Sequence, residues 1–206
     1  MNDIHAVVFD IGNVLVGWQP EAFFDSRIGA SRRQKLFAEV DLNGMNLAVD
    51  RGAPFAESVR GLAAQHPDWH DEIMLWHDGW PQMFAPVIAE NVALLRGLRA
   101  QGMPVFALSN FGRETFALAC ETHNFLTEFD QRYISGHLGV LKPEPEIYRI
   151  LERESGVPPQ NLFFIDDRPE NIVAAIARGW SGHVFEHPDT LQADLQKNGI
   201  NVAMQI

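Results

Sequence analysis

The chain has 206 residues, of which 46% are hydrophobic and 21% charged, a globular composition that excludes the disordered and fibrous classes. Its 27 acidic and 16 basic residues give a net charge of −11, which would repel nucleic acid and anionic membrane surfaces. The one cysteine, Cys120, cannot form an internal disulfide, and no apolar run approaches the roughly 18 residues that span a bilayer. We therefore expect a cytoplasmic protein of one domain, or of one domain with a smaller insertion, without nucleic-acid or membrane partners.

Short apolar segments predict the strands of the fold. The strongest of them lack alternation and end abruptly at polar residues, as expected for strands buried on both faces of a parallel sheet. These strongest segments are 6–9, 105–108 and 162–165, and two weaker ones are 132–134 and 183–185. Helical patterns occupy 86–102, 114–123, 145–155 and 169–178. The alternation of strand and helix predicts an α/β fold with helices on both faces of the sheet.

The segment between the first two strong strands is too long for a simple crossover. Asp10 and Ser109 lie 99 positions apart, whereas a crossover needs a loop, one helix and a second loop. The predicted helix before the second strand supplies the crossover, and roughly 65 to 70 residues remain. We interpret residues 17–86 as a helical subdomain inserted into a core formed by residues 1–16 and 87–206.

Aromatic residues recur within and beside this insertion. They could stack against a sugar ring at the boundary with the core, or they could form the insertion's own core or a subunit contact. Helical spacing favours the packing role for this set, which comprises Trp18, Trp69, Trp76 and Trp80.

Polar side chains follow the three strongest strands. The set comprises Asp10, Ser109, Asn110, Asp166 and Asp167. Ligands of open parallel sheets bind beyond the carboxyl ends of the strands, so we expect these side chains to meet in one crevice. Carboxylates crowded together repel one another, and a hard divalent cation relieves that repulsion. A few oxygen ligands with positions left open for water and phosphate would suit Mg²⁺.

Each of these residues also has a simple structural explanation when it is taken alone. An aspartate followed by Gly-Asn is often a turn former, and Ser109-Asn110 could cap a helix. Lys142, in the segment 139–145, could supply a fixed positive charge to the crevice or could be a solvated surface lysine. Only the joint placement of these residues at three strand ends favours a functional site.

Four segments, in this order along the chain, resemble the four motifs of the haloacid dehalogenase-like (HAD) hydrolases. They are 8–15 (VFDIGNVL), 108–110 (LSN), 142–143 (KP) and 164–167 (FIDD). The insertion at 17–86 is similar to the helical cap that one class of this family carries between its first two motifs. The resemblance covers essentially the whole chain and implies a Rossmann-like three-layer core with a parallel sheet.

The resemblance implies phosphoryl transfer through a covalent aspartyl intermediate. Asp10 would be the nucleophile, and its carboxylate would attack phosphorus in line with the leaving oxygen. Ser109 and the adjacent Asn110 would bind the phosphate oxygens. Lys142 would offset charge on both the phosphoryl group and the nucleophile.

The resemblance also implies a Mg²⁺ site. Asp10, the backbone carbonyl of Gly12 and Asp167 would hold the cation, and Asp166 would act directly or through a water molecule.

One position departs from the family pattern. Most phosphatases of this family carry a second aspartate two residues after the nucleophile, where this chain has Gly12. Loss of general acid–base help costs about 10²–10⁴-fold in rate. The substrate could have a good leaving group, as in an anomeric sugar phosphate or an acyl phosphate; His77 or Asp78 could replace the missing acid; or the protein could be a slow catalyst. The Asp-x-Gly-Asn-Val pattern resembles that of sugar-1-phosphate phosphatases and favours the first explanation.

The sequence therefore predicts a Mg²⁺-dependent phosphatase that acts on a small phosphorylated metabolite, with a sugar phosphate as the first candidate, and that exists as a monomer or homodimer. Two alternatives remain open. One is a metal-independent 2-haloacid dehalogenase, although dehalogenases of the family resemble Asp-x-Tyr-Gly-Thr at the first motif. The other is a weakly catalytic protein that binds a phosphorylated metabolite.

Overall fold

A parallel sheet runs through the centre of the fold in this computed structural model, which describes residues 3–201. The strands, in chain order, are β1 (Ala6–Phe9), β2 (Val16–Trp18), β3 (Phe84–Val87), β4 (Val105–Ser109), β5 (Gln131–Ile134), β6 (Leu162–Asp166) and β7 (Ser181–Val184). Five of them form the parallel sheet in the order β5-β4-β1-β6-β7. β1 therefore lies at the centre, between the strands that precede Asn110 and Asp167.

Helices make up most of the remaining chain. They are α1 (Pro20–Ile28), α2 (Ala30–Glu39), α3 (Leu42–Asp50), α4 (Phe55–Gln65), α5 (His70–Asp78), α6 (Trp80–Met83), α7 (Ala89–Ala100), α8 (Arg113–Thr122), α9 (Ser135–Leu138), α10 (Pro145–Ser155), α11 (Pro169–Ile176) and α12 (Pro188–Lys197). Within residues 3–201, none of these helices is long and apolar enough to cross a bilayer.

Both faces of the sheet are covered by helices. Val7 and Phe9 of β1 point to one face and pack in a core that includes residues of α7, α8 and α12. Ala6 and Val8 point to the other face and pack with residues of α10 and α11. All four side chains are fully buried, which explains why the strand lacks polar alternation. The predicted three-layer α/β fold is confirmed.

An antiparallel ribbon of β2 and β3 connects the sheet to a group of helices. The chain between the two strands contains α1 to α6, and we call residues 20–83, which these helices span, the helical segment. Its interior includes the fully buried Phe24, Leu36 and Ile73, with Trp76 at 1% exposure. Trp76 thus packs in the interior of the helical segment.

The helix predicted from residue 86 begins later than expected. Pro86 and Val87 lie in β3, and α7 begins at Ala89. Val87 pairs with Val16 across the ribbon, and the N–H of Ile88 donates to a carbonyl at the start of the ribbon, 2.8 Å away. A proline suits both the first turn of a helix and an edge strand, so the local pattern could not distinguish the two.

Candidate active site

The carboxyl ends of β1, β4 and β6 bring the predicted polar side chains together. Asp10 follows β1, Ser109 ends β4 and Asp166 ends β6. The Oγ of Ser109 donates to Oδ1 of Asp10 at 2.7 Å. The Nζ of Lys142 lies 2.9 Å from the same oxygen and 2.6 Å from Oδ2 of Asp166. Four groups from separate parts of the sequence are thus in direct contact.

Asp10 is held on one side of its carboxylate. The hydrogen bonds given to it by the described residues end on Oδ1, and they come from the N–H of Ile11, the hydroxyl of Ser109 and the ammonium of Lys142. Burial raises the pKa of Asp10 to about 7, the ammonium opposes this shift, and the neighbouring carboxylates add to it. These three donors fix the orientation of the carboxylate through one of its two oxygens, Oδ1.

Lys142 is a buried cation whose side chain is 1% exposed. Burial opposes its charge, but the attraction and hydrogen bonds of Asp10 and Asp166 outweigh burial and raise the pKa of Lys142. Asn110 holds the backbone of this residue, because its Nδ2 donates to the Lys142 carbonyl at 3.0 Å and its Oδ1 accepts from the Lys142 N–H at 2.7 Å. The side chain of Asn110 therefore positions the lysine, a role that sequence reasoning did not predict.

The two consecutive aspartates after β6 have different surroundings. Asp166 is fully buried and accepts hydrogen bonds from the N–H of Arg168 at 2.8 Å and from Nδ2 of Asn171 at 2.9 Å. Asp167 lines a cavity and accepts from Nδ2 of Asn13 at 3.0 Å. Burial raises the pKa of Asp167, and the hydrogen bond from Asn13 opposes that shift. Asp166 is thus enclosed by protein donors, whereas Asp167 is open to a ligand.

The acidic cluster fits a divalent cation. Oxygen atoms of Asp10, Asp166 and Asp167 lie within 4.8 Å of one another. Three carboxylates beside one ammonium leave two negative charges without a partner, and a divalent ion would neutralise them. An all-oxygen donor set is the kind that Mg²⁺ prefers. The chemistry of these residues therefore agrees with the predicted Mg²⁺ site.

A cavity of about 440 Å³ opens above the cluster, between the sheet and the helical segment. Asp10, Ser109 and Lys142 contribute to its wall on the side of the sheet. Its opposite wall is aromatic and polar, and includes Trp18, Trp76, Trp80, Asn43, Asn46 and Asp50. A volume of this size is in the range of small-molecule sites.

The sequence from residue 4 to residue 179 matches the family model of the haloacid dehalogenase-like hydrolases. The chain belongs to this family. The predicted resemblance to this family is therefore confirmed.

Known relatives include phosphatases. Flavin mononucleotide hydrolase 1 of Arabidopsis thaliana is 46% identical over 66 residues, which are 32% of this chain and only 27% of that protein. D-ribitol-5-phosphate phosphatase of Bacteroides thetaiotaomicron is 26% identical over 187 residues, which are 82% of this chain and 85% of that protein. A HAD family enzyme of the same organism, solved in complex with magnesium and inorganic phosphate, has a TM-score of 0.71 and 25% identity over 89% of this chain and 94% of that chain.

The two residues suggested as substitutes for the missing family acid do not line the cavity. His77 stacks on Phe55, with ring centroids 5.2 Å apart, and its Nδ1 lies 2.8 Å from Asp78. Trp69 does not line the cavity either, and its Nε1 donates a hydrogen bond to Glu39 at 2.9 Å.

Sequence reasoning missed three residues of this HAD site. Asn171 lies one helical turn after Asp167, and at this spacing its side chain reaches back to Asp166 at the end of β6. Asn13 lies within the first motif and adopts φ 55°, in the left-handed region that asparagine tolerates. No sequence motif could have identified Asp50, because the motifs of the HAD core do not extend into the helical segment.

A glycine supports the loop that follows β4. The N–H of Gly136 donates to the carbonyl of Phe111 at 3.0 Å, and a Cβ atom at position 136 would lie 2.7 Å from that carbonyl oxygen and 2.8 Å from the backbone nitrogen of Arg113. We predict that Gly136→Ala destabilises the protein by about 1–3 kcal/mol, because backbone atoms must move. The urea midpoint measures this loss. Gly61→Ala is the control, because its Cβ would meet nothing within 4 Å in a helix and should not lower stability; equal effects of the two variants would contradict the prediction.

Proposed function

We propose that the protein is a Mg²⁺-dependent phosphatase that hydrolyses a small phosphomonoester through an aspartyl-phosphate on Asp10. One observation carries this proposal: at the base of a cavity, Ser109 and Lys142 contact one oxygen of Asp10, which is itself a member of the acidic cluster. The phosphatases among the relatives support the same activity.

Each of the four residues in contact at the strand ends has a separate role in the reaction. The Asp10 carboxylate attacks phosphorus, while the hydroxyl of Ser109 and the ammonium of Lys142 orient it and stabilise the phosphoryl oxygens. Asp166 holds the ammonium in place through its 2.6 Å contact. This network keeps the attacking group in one orientation before the substrate binds.

Asp10, Asp167 and the backbone carbonyl of Gly12 would hold the cation. Asp166 would contribute to its binding through its charge, because its oxygens are already occupied by protein donors. When bound, Mg²⁺ supplies positive charge that offsets the charge of the transferring phosphoryl group.

We further propose that residues 17–86 form a cap over a catalytic core of residues 1–16 and 87–206. Arg51 forms a two-hydrogen-bond ion pair with Glu144, at 2.5 and 3.2 Å, and the N–H of Phe55 donates to Glu114 at 2.8 Å. These contacts join the helical segment to α8 and to the residue that precedes α10. Such a cap selects the substrate and excludes water during the reaction.

A phosphate-release screen tests the proposed function. The panel contains sugar phosphates, nucleotides, flavin mononucleotide and acyl phosphates, each with Mg²⁺ and with a chelator. We expect release from at least one compound with Mg²⁺ only. Turnover of 2-haloacids in the chelator would instead support the dehalogenase alternative, and saturable binding without release would support the binding alternative.

Asp167 gives a specific prediction about the metal. Asp167→Asn removes one charge of the cluster, so we expect the Mg²⁺ concentration for half-maximal activity to rise by at least about 10-fold. A titration of phosphate release with Mg²⁺ measures the change. Asp71→Asn is the matched control, because the side chain of Asp71 is 98% exposed and lies outside the cavity wall. An unchanged Mg²⁺ requirement in Asp167→Asn would remove this residue from the metal site.

A further inference from the structure

Position 12 has room for a side chain that the protein lacks. A Cβ atom on Gly12 would meet nothing within 4 Å apart from its chain neighbours, and Gly12 lines the cavity. Steric pressure therefore does not account for the glycine. The position offers no acid to protonate the leaving oxygen of a substrate, so another group in the cavity must supply the proton to a poor leaving group.

Three carboxyl groups line the cavity among residues 3–201: Asp10, Asp50 and Asp167. Asp10 is committed to attack on phosphorus, and Asp167 belongs to the acidic cluster. Asp50 is the carboxyl group that the helical segment contributes, and it is not part of the cluster. By elimination, Asp50 is the cavity carboxyl free to exchange a proton with the leaving group.

Helix α3 presents one face to the cavity, and Asp50 is its last residue. Asn43, Asn46, Leu47 and Asp50 all line the cavity, at the spacing of one helix face. The helix therefore places Asp50 in the wall of the cavity that Asp10 also lines.

Contacts from both sides hold Asp50 in place. Nδ2 of Asn46 donates to its Oδ2 at 2.9 Å, and the backbone N–H of Gly112 donates to its carboxylate. The hydroxyl of Ser135 donates to its backbone carbonyl at 2.6 Å. Gly112 lies in the loop after β4, and Ser135 is the first residue of α9, directly after β5. The core and the helical segment together therefore fix the position of Asp50.

The surroundings of Asp50 suit a group that both gives and takes a proton. Burial raises the pKa of Asp50 to about 7, the hydrogen bond from Gly112 opposes the shift, and the charge of Asp10 adds to it. An acid whose pKa is near the working pH is the most effective proton-transfer catalyst.

We propose that Asp50 is the general acid and base of the reaction, in place of the side chain that Gly12 lacks; this inference rests on the proposed phosphatase function. In the first step, the Asp10 carboxylate bonds to phosphorus, the bond from phosphorus to the leaving oxygen breaks, and that oxygen takes the proton of the Asp50 carboxyl. In the second step, the Asp50 carboxylate takes a proton from water, whose oxygen attacks phosphorus. Inorganic phosphate and the Asp10 carboxylate are released, and Asp50 is protonated again.

Two aryl esters of nearly the same shape test this role. Phenyl phosphate has a poorer leaving group than p-nitrophenyl phosphate and depends more on protonation. The protein, the ester and Mg²⁺ are mixed rapidly, and release of the phenol is measured during the first turnover. This measurement isolates the step in which the bond to the leaving oxygen breaks. For Asp50→Asn we expect the rate on phenyl phosphate to fall by about 10²-fold or more relative to the rate on p-nitrophenyl phosphate. This ratio does not depend on the folded fraction, so a variant that folds poorly remains informative.

Two further variants complete the experiment. Asp78→Asn changes an aspartate of the helical segment outside the cavity wall and should leave both rates unchanged. Gly12→Asp placed in the Asp50→Asn background restores an acid in open space and should recover the rate on phenyl phosphate. An equal fall on both esters, or no fall, would overturn the role of Asp50 alone. A wild type that releases phosphate from no ester would overturn the proposed function and this inference with it.

Discussion

The Asp10→Asn variant is expected to release no measurable phosphate with Mg²⁺, a loss of at least about 10³-fold in kcat. An amide at this position cannot form the aspartyl-phosphate, because neither its oxygen nor its nitrogen has the nucleophilicity of a carboxylate oxygen. The substitution keeps the size of the side chain and the oxygen that accepts from Ser109. Phosphate release and intact-mass detection of the phosphorylated protein, after an acid quench, measure the two consequences.

Folding must be separated from chemistry in this experiment. Asp10 is 7% exposed and close to two other carboxylates, so loss of its charge should not unfold the protein. Thermal unfolding of Asp10→Asn in a chelator is therefore the control, and we expect a midpoint no lower than that of the wild type. Turnover retained in a folded Asp10→Asn variant would disprove the covalent mechanism.

The Lys142→Met variant is expected to lose both stability and activity. Its ammonium contacts Asp10 at 2.9 Å and Asp166 at 2.6 Å in a buried setting, so its removal leaves buried carboxylates without a cation. Breaking a buried ion pair from one side costs about 3–5 kcal/mol. Urea denaturation in a chelator measures the loss. We also expect kcat to fall by at least about 10²-fold, because the phosphoryl group loses the positive charge that faces it.

The pH dependence of this loss has a definite sign. The folded-state pKa of Asp10 is raised to about 7 from 3.8, so the folded protein binds more protons than the unfolded chain between these values. That excess makes stability fall as pH rises through this window. Removing the ammonium of Lys142 raises the carboxyl pKa further, so the deficit of Lys142→Met should be larger at pH 7 than at pH 5.

Lys197→Met is the matched control for the lysine experiment. Lys197 pairs with Asp194 at 2.8 Å, but its side chain is 74% exposed, and an exposed pair of this kind contributes about 0–1 kcal/mol. If Lys142→Met and Lys197→Met had equally small effects on stability, the buried ammonium would not be the group that holds the acidic cluster together.

The sheet and its polar edge could be predicted because both depend on local sequence. Uninterrupted apolar segments form strands buried on two faces, and the residue after each strand is placed at the carboxyl edge by chain connectivity alone. Asp10, Ser109 and Asp166 meet for this reason, and the four motifs then identified the family.

Other parts of the site depend on contacts between distant segments. The ribbon of β2 and β3 pairs residues about 70 positions apart, and no local pattern near Pro86 distinguishes that pairing from a helix start. Asn110 could be predicted as part of a motif, but its bonds to Lys142 follow from how two loops meet. His77 and Asp78 were plausible acids on the chain, and the packing of the helical segment turns them away from the cavity.

The sequence by itself determined the α/β sheet, the family and the order of the acidic and basic groups along the strand ends, because these follow from hydrophobic pattern and connectivity. Only the tertiary structure decided that Asp166 is enclosed while Asp167 is open, and that the helical segment brings Asp50 to the cavity above Asp10. Burial and the distance between charges determine the chemistry of a carboxyl group, and both are set by the packing of segments far apart in the chain.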